Sequence, residues 1–220
     1  MTSDLVDVLA LTVSVGLAAT AVMLPPGVAL AWWLARTRSP LRTLVETLVA
    51  LPLVLPPVAT GYLLLRLLGR RGPLGPWLDR IGLEVIFTWK AVLLAMVVMG
   101  MPLLVRTARA GFEQTSLRYE QVAETLGAGP WRVFLTISLP LAGRAVLAGA
   151  LLAFSRALGE FGATIVVAGS IPGETRTLAV AMYGYLETGR DAEATTLLVA
   201  SLTIALAAVW VSNRLSREAR

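Results

Sequence analysis

The sequence has neither cysteine nor histidine, and Lys90 is its only lysine. The absence of cysteine excludes disulfides and thiol nucleophiles, and the absence of histidine excludes imidazole acid–base chemistry. Zinc sites of the usual kind are excluded for the same reason. Lys90 follows Trp89 rather than a glycine-rich loop, whereas a phosphate-binding P-loop needs Gly-Lys-Ser/Thr. The chain therefore cannot itself be a P-loop ATPase.

Hydrophobic residues make up 56% of the chain and charged residues only 15%, and the mean hydropathy is +0.74. A soluble domain averages roughly 45–50% apolar and about 25% charged residues. We therefore predict an all-α integral membrane protein, formed by residues 1–220 as a single domain without a separate soluble part. Asp4 and Asp7 precede the first apolar run, where a signal peptide has basic residues, so no cleaved signal peptide is predicted.

The apolar runs predict about five membrane-spanning helices, because a bilayer needs roughly 20 apolar residues per span. The predicted spans are Leu5–Leu34, Leu44–Leu68, Trp89–Val105, Leu141–Val167 and Ala194–Val211. Pro25, Pro26 and Gly27 interrupt the first span, which predicts either a kink or two separate pieces.

The net charge of +5 comes from arginines that lie between the apolar runs, which indicates the positive-inside rule and not binding to nucleic acid. Clusters at Arg36–Arg42, Arg106–Arg118 and Arg214–Arg220 predict cytoplasmic segments, with the N-terminus outside and the C-terminus inside. The predicted outer loop Arg66–Thr88 also contains arginines, which speaks against this orientation.

The second predicted span contains residues that break helices. They are Pro52, Pro56, Pro57 and Gly61. Prolines at membrane depth leave backbone carbonyls that lipid cannot satisfy, so this segment must face protein or a water-filled cavity. The sequence predicts either a proline kink packed against neighbouring helices or a segment that lines a pathway.

The fourth predicted span has a stripe of small residues and a pair of charges. The stripe is Ala145, Gly149, Ala153 and Ala157, a spacing that lets membrane helices approach closely. Arg156 and Glu160 stand four positions apart, in the less favourable order for a helix, which suggests that Arg156 has a partner outside its own helix. The pair is interpreted either as a self-neutralising structural pair or as part of a polar pathway.

The polar segment Glu120–Pro140 predicts two short amphipathic helices. Ser116 is the expected N-cap of the first helix and Gly127 its C-cap. An apolar stripe at helical spacing comprises Tyr119, Val122, Ala123 and Leu126. The second helix is expected to begin at Pro130 and to end near Pro140, with its exposed side formed by Trp131, Phe134 and Leu135. Such a segment predicts a docking surface.

This segment resembles the EAA motif, a cytoplasmic loop of the permease subunits of bacterial ABC importers. The motif reads Glu-Ala-Ala, three residues, Gly, nine residues, Ile, one residue, Leu-Pro. Gln121-Val122-Ala123 stand at the triplet, and Gly127, Ile137 and Leu139-Pro140 follow with every spacing kept. Within this family the chain is most similar to molybdate permeases, over Leu51–Tyr62, Gly127–Pro140, Arg156–Thr164 and Ile171–Thr177.

The resemblance implies a permease bundle in the bacterial cytoplasmic membrane, present as a homodimer with two ATP-binding ABC subunits and an extracytoplasmic molybdate-binding protein. No catalytic or metal-binding residue is expected in this chain. ATP with Mg²⁺ is expected on the ATPase subunit. The coupling helix is expected to contact the ATPase through Tyr119, Glu120, Gln121, Val122, Ala123, Leu126, Gly127, Ile137 and Pro140. The expected pathway or gate residues are Pro52, Pro56, Pro57, Gly61, Arg156 and Glu160. The expected contacts with the binding protein are Pro172, Gly173, Glu174 and Arg176.

Other functions compete with this one. Tungstate and sulfate are alternative substrates. A secondary transporter usually has internal repeats and intramembrane ion sites, and no repeat is visible in the sequence. A membrane enzyme needs a cluster of acid–base or metal-binding residues, which is also not found. A membrane scaffold does not explain the broken second span, so the importer permease is the preferred hypothesis.

Overall fold

The computed structural model describes residues 2–217, with the side chains of residues 2, 3, 207–209 and 211–217 left out of the description. Every regular element within residues 2–217 is helical. The α-helices are α1 Thr2–Arg36, α2 Leu41–Val54, α3 Pro57–Leu68, α4 Gly75–Arg80, α5 Trp89–Gln114, α6 Leu117–Thr125, α7 Pro130–Val133, α8 Leu139–Leu158, α9 Gly162–Ala168, α10 Leu178–Glu187 and α11 Asp191–Arg217. A π-helical turn at Phe134–Ser138, called the π turn below, joins α7 to α8.

Three stretches are long and apolar enough to cross a membrane: Asp4–Arg36, Trp89–Gln114 and Pro130–Leu158. A bent pair, α2 with α3, adds a fourth if the two helices count as one span. The predicted fifth span, Ala194–Val211, lies within α11 but includes residues whose side chains are not described, so it stays a prediction. The arginine cluster Arg214–Arg220 likewise lies outside the described side chains.

The first span is one continuous helix, so the prediction of two separate pieces is wrong. Pro25 and Pro26 lie inside α1 without ending it. Met23 and Val28 flank them and are buried in the core. A Cβ on Gly27 would lie 2.6 Å from Leu104 Cδ2 of α5, so glycine lets the two helices touch here. Packing on both sides of the prolines thus offsets the hydrogen bonds that they cannot donate.

The core forms around α5, which packs between α1 and α8. The predicted stripe of small residues on α8 faces this contact: Gly149, Ala153 and Ala157 are buried, and a Cβ on Gly149 would lie 3.0 Å from Leu104 O. Because small residues leave the α8 backbone close to α5, the two helices make the largest contact of the bundle. The prediction that this stripe serves helix packing is confirmed.

The fourth predicted span does not run unbroken to Val167. The helix α8 ends at Leu158, and a separate short helix, α9, begins at Gly162. The intervening residues Gly159, Glu160 and Phe161 lie outside both helices. Arg156 and Glu160 therefore do not share one helix, contrary to the prediction.

Candidate functional site

Local capping fixes the shape of the polar segment between α5 and α8. The Ser116 hydroxyl accepts a hydrogen bond from the Arg118 backbone N–H and caps α6 as predicted. At the other end, Gly127 has a φ of +84°. Gly127 N–H donates to Glu124 O and Ala128 N–H donates to Ala123 O, the pattern of a Schellman C-cap. The chain turns sharply at this glycine and then enters α7 at Pro130.

Apolar side chains of α6, α7 and their flanking residues form an exposed surface. This surface, called the docking surface below, comprises Tyr119, Val122, Leu126, Trp131 and Leu135. Leu126 is 82% exposed and Trp131 is 75% exposed, values that neither residue would have in a bundle core. Gln121, Gly127 and Pro140 are exposed as well, whereas Ala123 and Ile137 are half-buried. A contiguous exposed apolar patch marks a site of protein or membrane contact.

Phe134 does not belong to the docking surface, contrary to the prediction. It is buried, with its ring centroid 5.2 Å from that of Trp32 in α1 and 6.3 Å from that of Phe112 in α5. These ring contacts attach the end of α7 to the bundle. The apolar side of the second short helix thus divides between an outward-facing part and an inward-facing part.

The second short helix also does not end near Pro140. The chain continues through the π turn into α8, and Pro140 lies in the first turn of α8. Leu139 N–H donates to Phe134 O, five residues earlier. A proline in an α-helix has no N–H for the carbonyl four residues before it and its ring crowds that carbonyl. The wider turn relieves this crowding and lets the helix pass through Pro140.

Glu120 was predicted to lie among the residues that contact a partner, but it faces the bundle. Its carboxylate is buried and accepts hydrogen bonds from the Arg36 guanidinium and from the Ser138 hydroxyl. These two partners could not be predicted, because Arg36 is 84 positions away and Ser138 belongs to an unpredicted π turn. Only the arginine cluster at Arg36–Arg42 pointed to this end of α1.

The same contacts bring two predicted cytoplasmic clusters together. Arg36 binds Glu120 of α6, and Arg42 Nη2 lies 3.0 Å from Glu113 Oε1 of α5. The Arg36–Arg42 loop and the Arg106–Arg118 segment therefore lie at one end of the bundle, next to the docking surface. This arrangement agrees with a shared cytoplasmic side for these two segments.

The second predicted span is broken, as its prolines suggested. The helices α2 and α3 meet at Leu55–Pro56 and are bent by 116° relative to each other. No residue of α2 is buried, whereas Thr60 and Gly61 of α3 are. Pro52 is half-buried, and Pro56 and Pro57 are exposed. The break thus presents irregular backbone on an open side of the described chain.

The two breaks in predicted spans lie against each other, because α3 packs on α9. A Cβ on Gly61 would lie 2.7 Å from Ala163 O, and a Cβ on Gly162 would lie 2.7 Å from Pro57 Cβ. The hydroxyls of Thr60 and Thr164 are buried here and have no hydrogen-bond partner in the described part of the chain. Five of the predicted pathway residues are therefore on or next to this crossing: Pro56, Pro57, Gly61, Arg156 and Glu160.

Arg156 and Glu160 form an ion pair at the end of α8. Arg156 Nη1 lies 2.8 Å from Glu160 Oε2, although the contact lacks the angle of a hydrogen bond. Glu160 is 1% exposed, and its Oε1 accepts a hydrogen bond of 2.8 Å from the Ala163 N–H. The carboxylate therefore satisfies one of the free N–H groups that open α9. A role in shaping the break is visible, and a role in a pathway stays a prediction.

At the opposite end of the bundle, Ser170–Thr177 forms a tight turn before α10. Ile171 N–H donates to Thr175 Oγ1, and Gly173 has a φ of +75°. Pro172, Gly173 and Glu174 are exposed, and Arg176 Nε donates to Ser170 Oγ at 3.1 Å. The helix α10 begins only at Leu178, because the turn occupies the residues before it.

An open cavity of about 620 Å³ lies beside this turn and has charged walls. Its lining includes Arg70, Asp79, Glu84, Lys90 and Glu174. Among the described residues, no three carboxylates are grouped so that they could hold a metal ion. Acidic and basic side chains at the mouth of a cavity favour contact with a polar protein surface.

Comparison with known proteins places these features in context. The family described as "binding-protein-dependent transport system inner membrane component" matches residues 27–220. The molybdenum transport system permease protein ModB of Escherichia coli (strain K12) is 46% identical over 199 residues, which cover 90% of this chain and 87% of the relative. ModB of Haemophilus influenzae is 42% identical over 214 residues, covering 94% and 93%. The sulfate transport system permease protein CysT of Escherichia coli (strain K12) is 36% identical over 196 residues, covering 87% and 71%.

Two solved structures share the architecture. A bacterial alginate ABC transporter, in complex with an alginate pentasaccharide-bound periplasmic protein, aligns with a TM-score of 0.75 at 19% identity, covering 97% of this chain and 78% of that chain. The MetNI methionine ABC transporter, in inward-facing conformations, aligns with a TM-score of 0.71 at 17% identity, covering 100% and 96%. At these identities the likeness shows a shared fold.

Proposed function

The chain belongs to the family of binding-protein-dependent transport system inner membrane components, and we propose that it is the permease subunit of an ABC importer for molybdate. The observation that carries this proposal is the docking surface. A chain with a mean hydropathy of +0.74 presents five large apolar side chains on α6, α7 and the residues next to them at its cytoplasmic end. We propose that this surface fits a groove of a separate ATPase subunit.

Molybdate is the proposed substrate because the relatives named as molybdenum permeases are more similar than the one named as a sulfate permease. The identities are 46% and 42% against 36%. Tungstate is nearly isosteric with molybdate and is the alternative within the same class. We propose that a separate extracytoplasmic binding protein makes most of this choice.

The proposed complex has two copies of this chain, two ATP-binding subunits and one binding protein in the bacterial cytoplasmic membrane. The bent pair α2–α3 supports a second copy, since α2 buries no residue and its exposed leucines face outward. The charged cavity next to Glu174 supports docking of the binding protein at the outer end. The chain itself makes and breaks no covalent bond, and ATP with Mg²⁺ belongs to the ATPase subunits.

In the proposed cycle, the helices of this chain alternate between two stable packing arrangements. ATP binding draws the two ATPase subunits together and moves α6 of each copy with them. The crossing of α3 with α9 then opens to the outside, receives the anion, and returns to the inward-facing packing after hydrolysis. Each step shifts the balance between two packings of the same helices.

Reconstitution of the complex tests this proposal. The chain, its ATPase subunit and the binding protein are assembled in liposomes, and ATP hydrolysis is measured with the binding protein loaded with molybdate, tungstate or sulfate. We expect molybdate to give the greatest stimulation together with uptake of the anion. Failure of the chain to retain any ATPase subunit would contradict the permease assignment, whereas stimulation by sulfate alone would contradict only the substrate.

A Leu126→Ser variant tests whether the docking surface is the contact with the ATPase subunit. Leu126 is 82% exposed, so its replacement removes apolar surface from the docking surface without opening a core cavity. We expect the variant to fold and to elute like the unmodified chain but to lose the ATPase subunit. Normal retention of the ATPase would count against this surface as the contact.

A further inference from the structure

Arg36, the last residue of α1, binds two other elements, α5 and α6, at the cytoplasmic end of the bundle. Its Nη2 lies 2.6 Å from Glu120 Oε1, and its Nε lies 3.0 Å from Glu120 Oε2. Its Nη1 donates to Phe112 O at 2.9 Å, and Nη2 also donates to Thr115 O at 3.5 Å. The guanidinium thus holds the end of α5 and the carboxylate of α6 at once.

Glu120 has a further partner in the π turn, where the Ser138 hydroxyl donates to Oε1 at 2.8 Å. We call Arg36, Glu120 and Ser138 the anchor cluster. Its members come from α1, α6 and the π turn, and Arg36 also binds the Phe112 carbonyl in the last turn of α5 and the Thr115 carbonyl just beyond it. Charge-assisted contacts that use both carboxylate oxygens fix geometry as well as strength.

The anchor cluster is where the side chains of α6 meet the bundle. Glu120 is the only buried residue among Leu117–Thr125. The backbone leaves α6 through Thr115–Ser116 at one end and through Gly127–Gly129 at the other, where Gly127 and Gly129 carry no side chain to pack. Besides the backbone link at Thr115–Ser116 and the contacts of α6 with α7 and the π turn, a displacement of α6 therefore reaches α1 and the end of α5 through this one buried carboxylate.

We propose that the anchor cluster is the positioning element that makes α6 move as one body with the ends of α1 and α5. This inference rests on the proposed function, because it requires that an ATPase subunit displaces α6. The docking surface receives the displacement, and the Arg36–Glu120 pair carries it to α1 and to the end of α5. Arg36 and Glu120 touch neither the anion nor ATP in this scheme, so they act through position alone.

Loss of the pair therefore has two measurable results. Without the carboxylate charge, α6 remains attached by its backbone and by a weaker hydrogen bond, so its position relative to α5 becomes variable. The docking surface stays intact, because its side chains lie on the opposite, exposed side of the segment. The ATPase subunit still binds, but its motion reaches α1 and α5 incompletely and ATP is hydrolysed without transport.

A distance measurement tests the positioning role on the full chain alone. Because the sequence contains no cysteine, Ala110→Cys on α5 and Glu124→Cys on α6, both at exposed positions, accept spin labels without background. We expect a narrow distribution of distances between the two labels in this double-cysteine chain. When Glu120→Gln is added, the distribution should become at least twice as broad. Arg42→Gln removes a pair of the same residue types that is exposed and does not involve α6, so it should leave the distribution unchanged.

A coupling measurement tests the consequence in the complete reconstituted complex. We expect Glu120→Gln and Arg36→Lys to retain the ATPase subunit but to lower molybdate uptake per ATP hydrolysed at least fivefold. Ser138→Ala removes one hydrogen bond and leaves both charges paired, so it should lower the uptake per ATP less. This variant provides the test if the other two variants fail to assemble. Arg42→Gln should keep the ratio of the unmodified chain.

The outcomes separate the two proposals. A narrow distance distribution in Glu120→Gln, or an unchanged uptake per ATP in all three anchor variants, overturns the positioning role. Loss of uptake in strict proportion to loss of assembled complex also overturns it, since a merely structural pair gives that result. Failure of the unmodified chain to retain an ATPase subunit contradicts the proposed function instead.

Discussion

Replacement of Glu160 tests how the break between α8 and α9 is held. Glu160 is 1% exposed, pairs with Arg156 and accepts a hydrogen bond from the Ala163 N–H. Glu160→Leu removes both contacts, whereas Glu160→Gln keeps an acceptor for the Ala163 N–H and removes only the charge. The two variants therefore separate the ion pair from the cap of α9.

The expected magnitudes follow from burial. Removal of one member of a buried pair costs about 3–5 kcal/mol, and the lower end applies because the side chain of Arg156 is 28% exposed and keeps some access to water. An unsatisfied Ala163 N–H adds about 1–3 kcal/mol. Glu160→Leu should thus cost about 4–6 kcal/mol and Glu160→Gln about 3 kcal/mol. At about 2–4 °C per kcal/mol for a chain of this size, the midpoints should fall by about 8–24 °C and 6–12 °C.

The assay heats the purified chain in detergent through a series of temperatures and measures the remaining monodisperse peak by its tryptophan fluorescence on size exclusion. Arg42→Gln is the control, because its pair with Glu113 is exposed and worth about 0–1 kcal/mol. Equal midpoints for Glu160→Leu and Glu160→Gln would refute the contribution of the cap. A midpoint of Glu160→Leu within the range of the control would refute the whole argument.

The same site decides between the two interpretations of the charge pair. An Arg156→Leu, Glu160→Gln double variant removes both charges and keeps the acceptor for α9. If the pair only shapes the break, the variant should assemble with its partners and take up molybdate normally. Normal assembly with lost uptake would exclude the structural interpretation, and normal uptake would exclude a role in the pathway.

Three further results are expected. Gly127→Val should keep the chain in the membrane but weaken retention of the ATPase subunit on co-purification, because valine at a φ of +84° costs about 1 kcal/mol or more and distorts the turn; full retention would contradict this. Ser39→Cys should react with an impermeant thiol reagent only after the cells are opened, and labelling in intact cells would reverse the predicted orientation. Gly61→Val should cost about 1–3 kcal/mol by overpacking, because its Cβ would lie 2.7 Å from Ala163 O, and an unchanged thermal midpoint would contradict the close contact of α3 with α9.

Features that depend on neighbours in the sequence could be predicted. The Ser116 cap, the left-handed backbone at Gly127 and the start of α7 at Pro130 are all set by one or two residues acting on the adjacent backbone. The small-residue stripe of α8 was predicted correctly for a similar reason, since residues four positions apart lie on the same side of any helix. Apolar length alone also predicted the spans found at Asp4–Arg36 and Trp89–Gln114.

Features that depend on distant partners could not be predicted. The apolar side of the second short helix gave no means to tell Phe134, which packs on Trp32, from Trp131, which faces out. Glu120 was grouped with the exposed residues because its partner, Arg36, is 84 positions away. The end of α8 at Leu158 was not predicted, because the only nearby residue that indicates a helix end is Gly159 and glycine is common within membrane helices.

The π turn also bears on how the length of this segment can change during evolution. In a regular α-helix, one inserted or deleted residue rotates everything beyond it by about 100°. A π-helical turn holds one residue more than the α-helical path between the same two ends. A deletion within Phe134–Ser138 would therefore be absorbed by conversion to an ordinary turn and would leave the orientation of α8 unchanged. The same deletion a few residues later would rotate Gly149 and Ala153 away from α5, so relatives should vary in length at the π turn and not within α8.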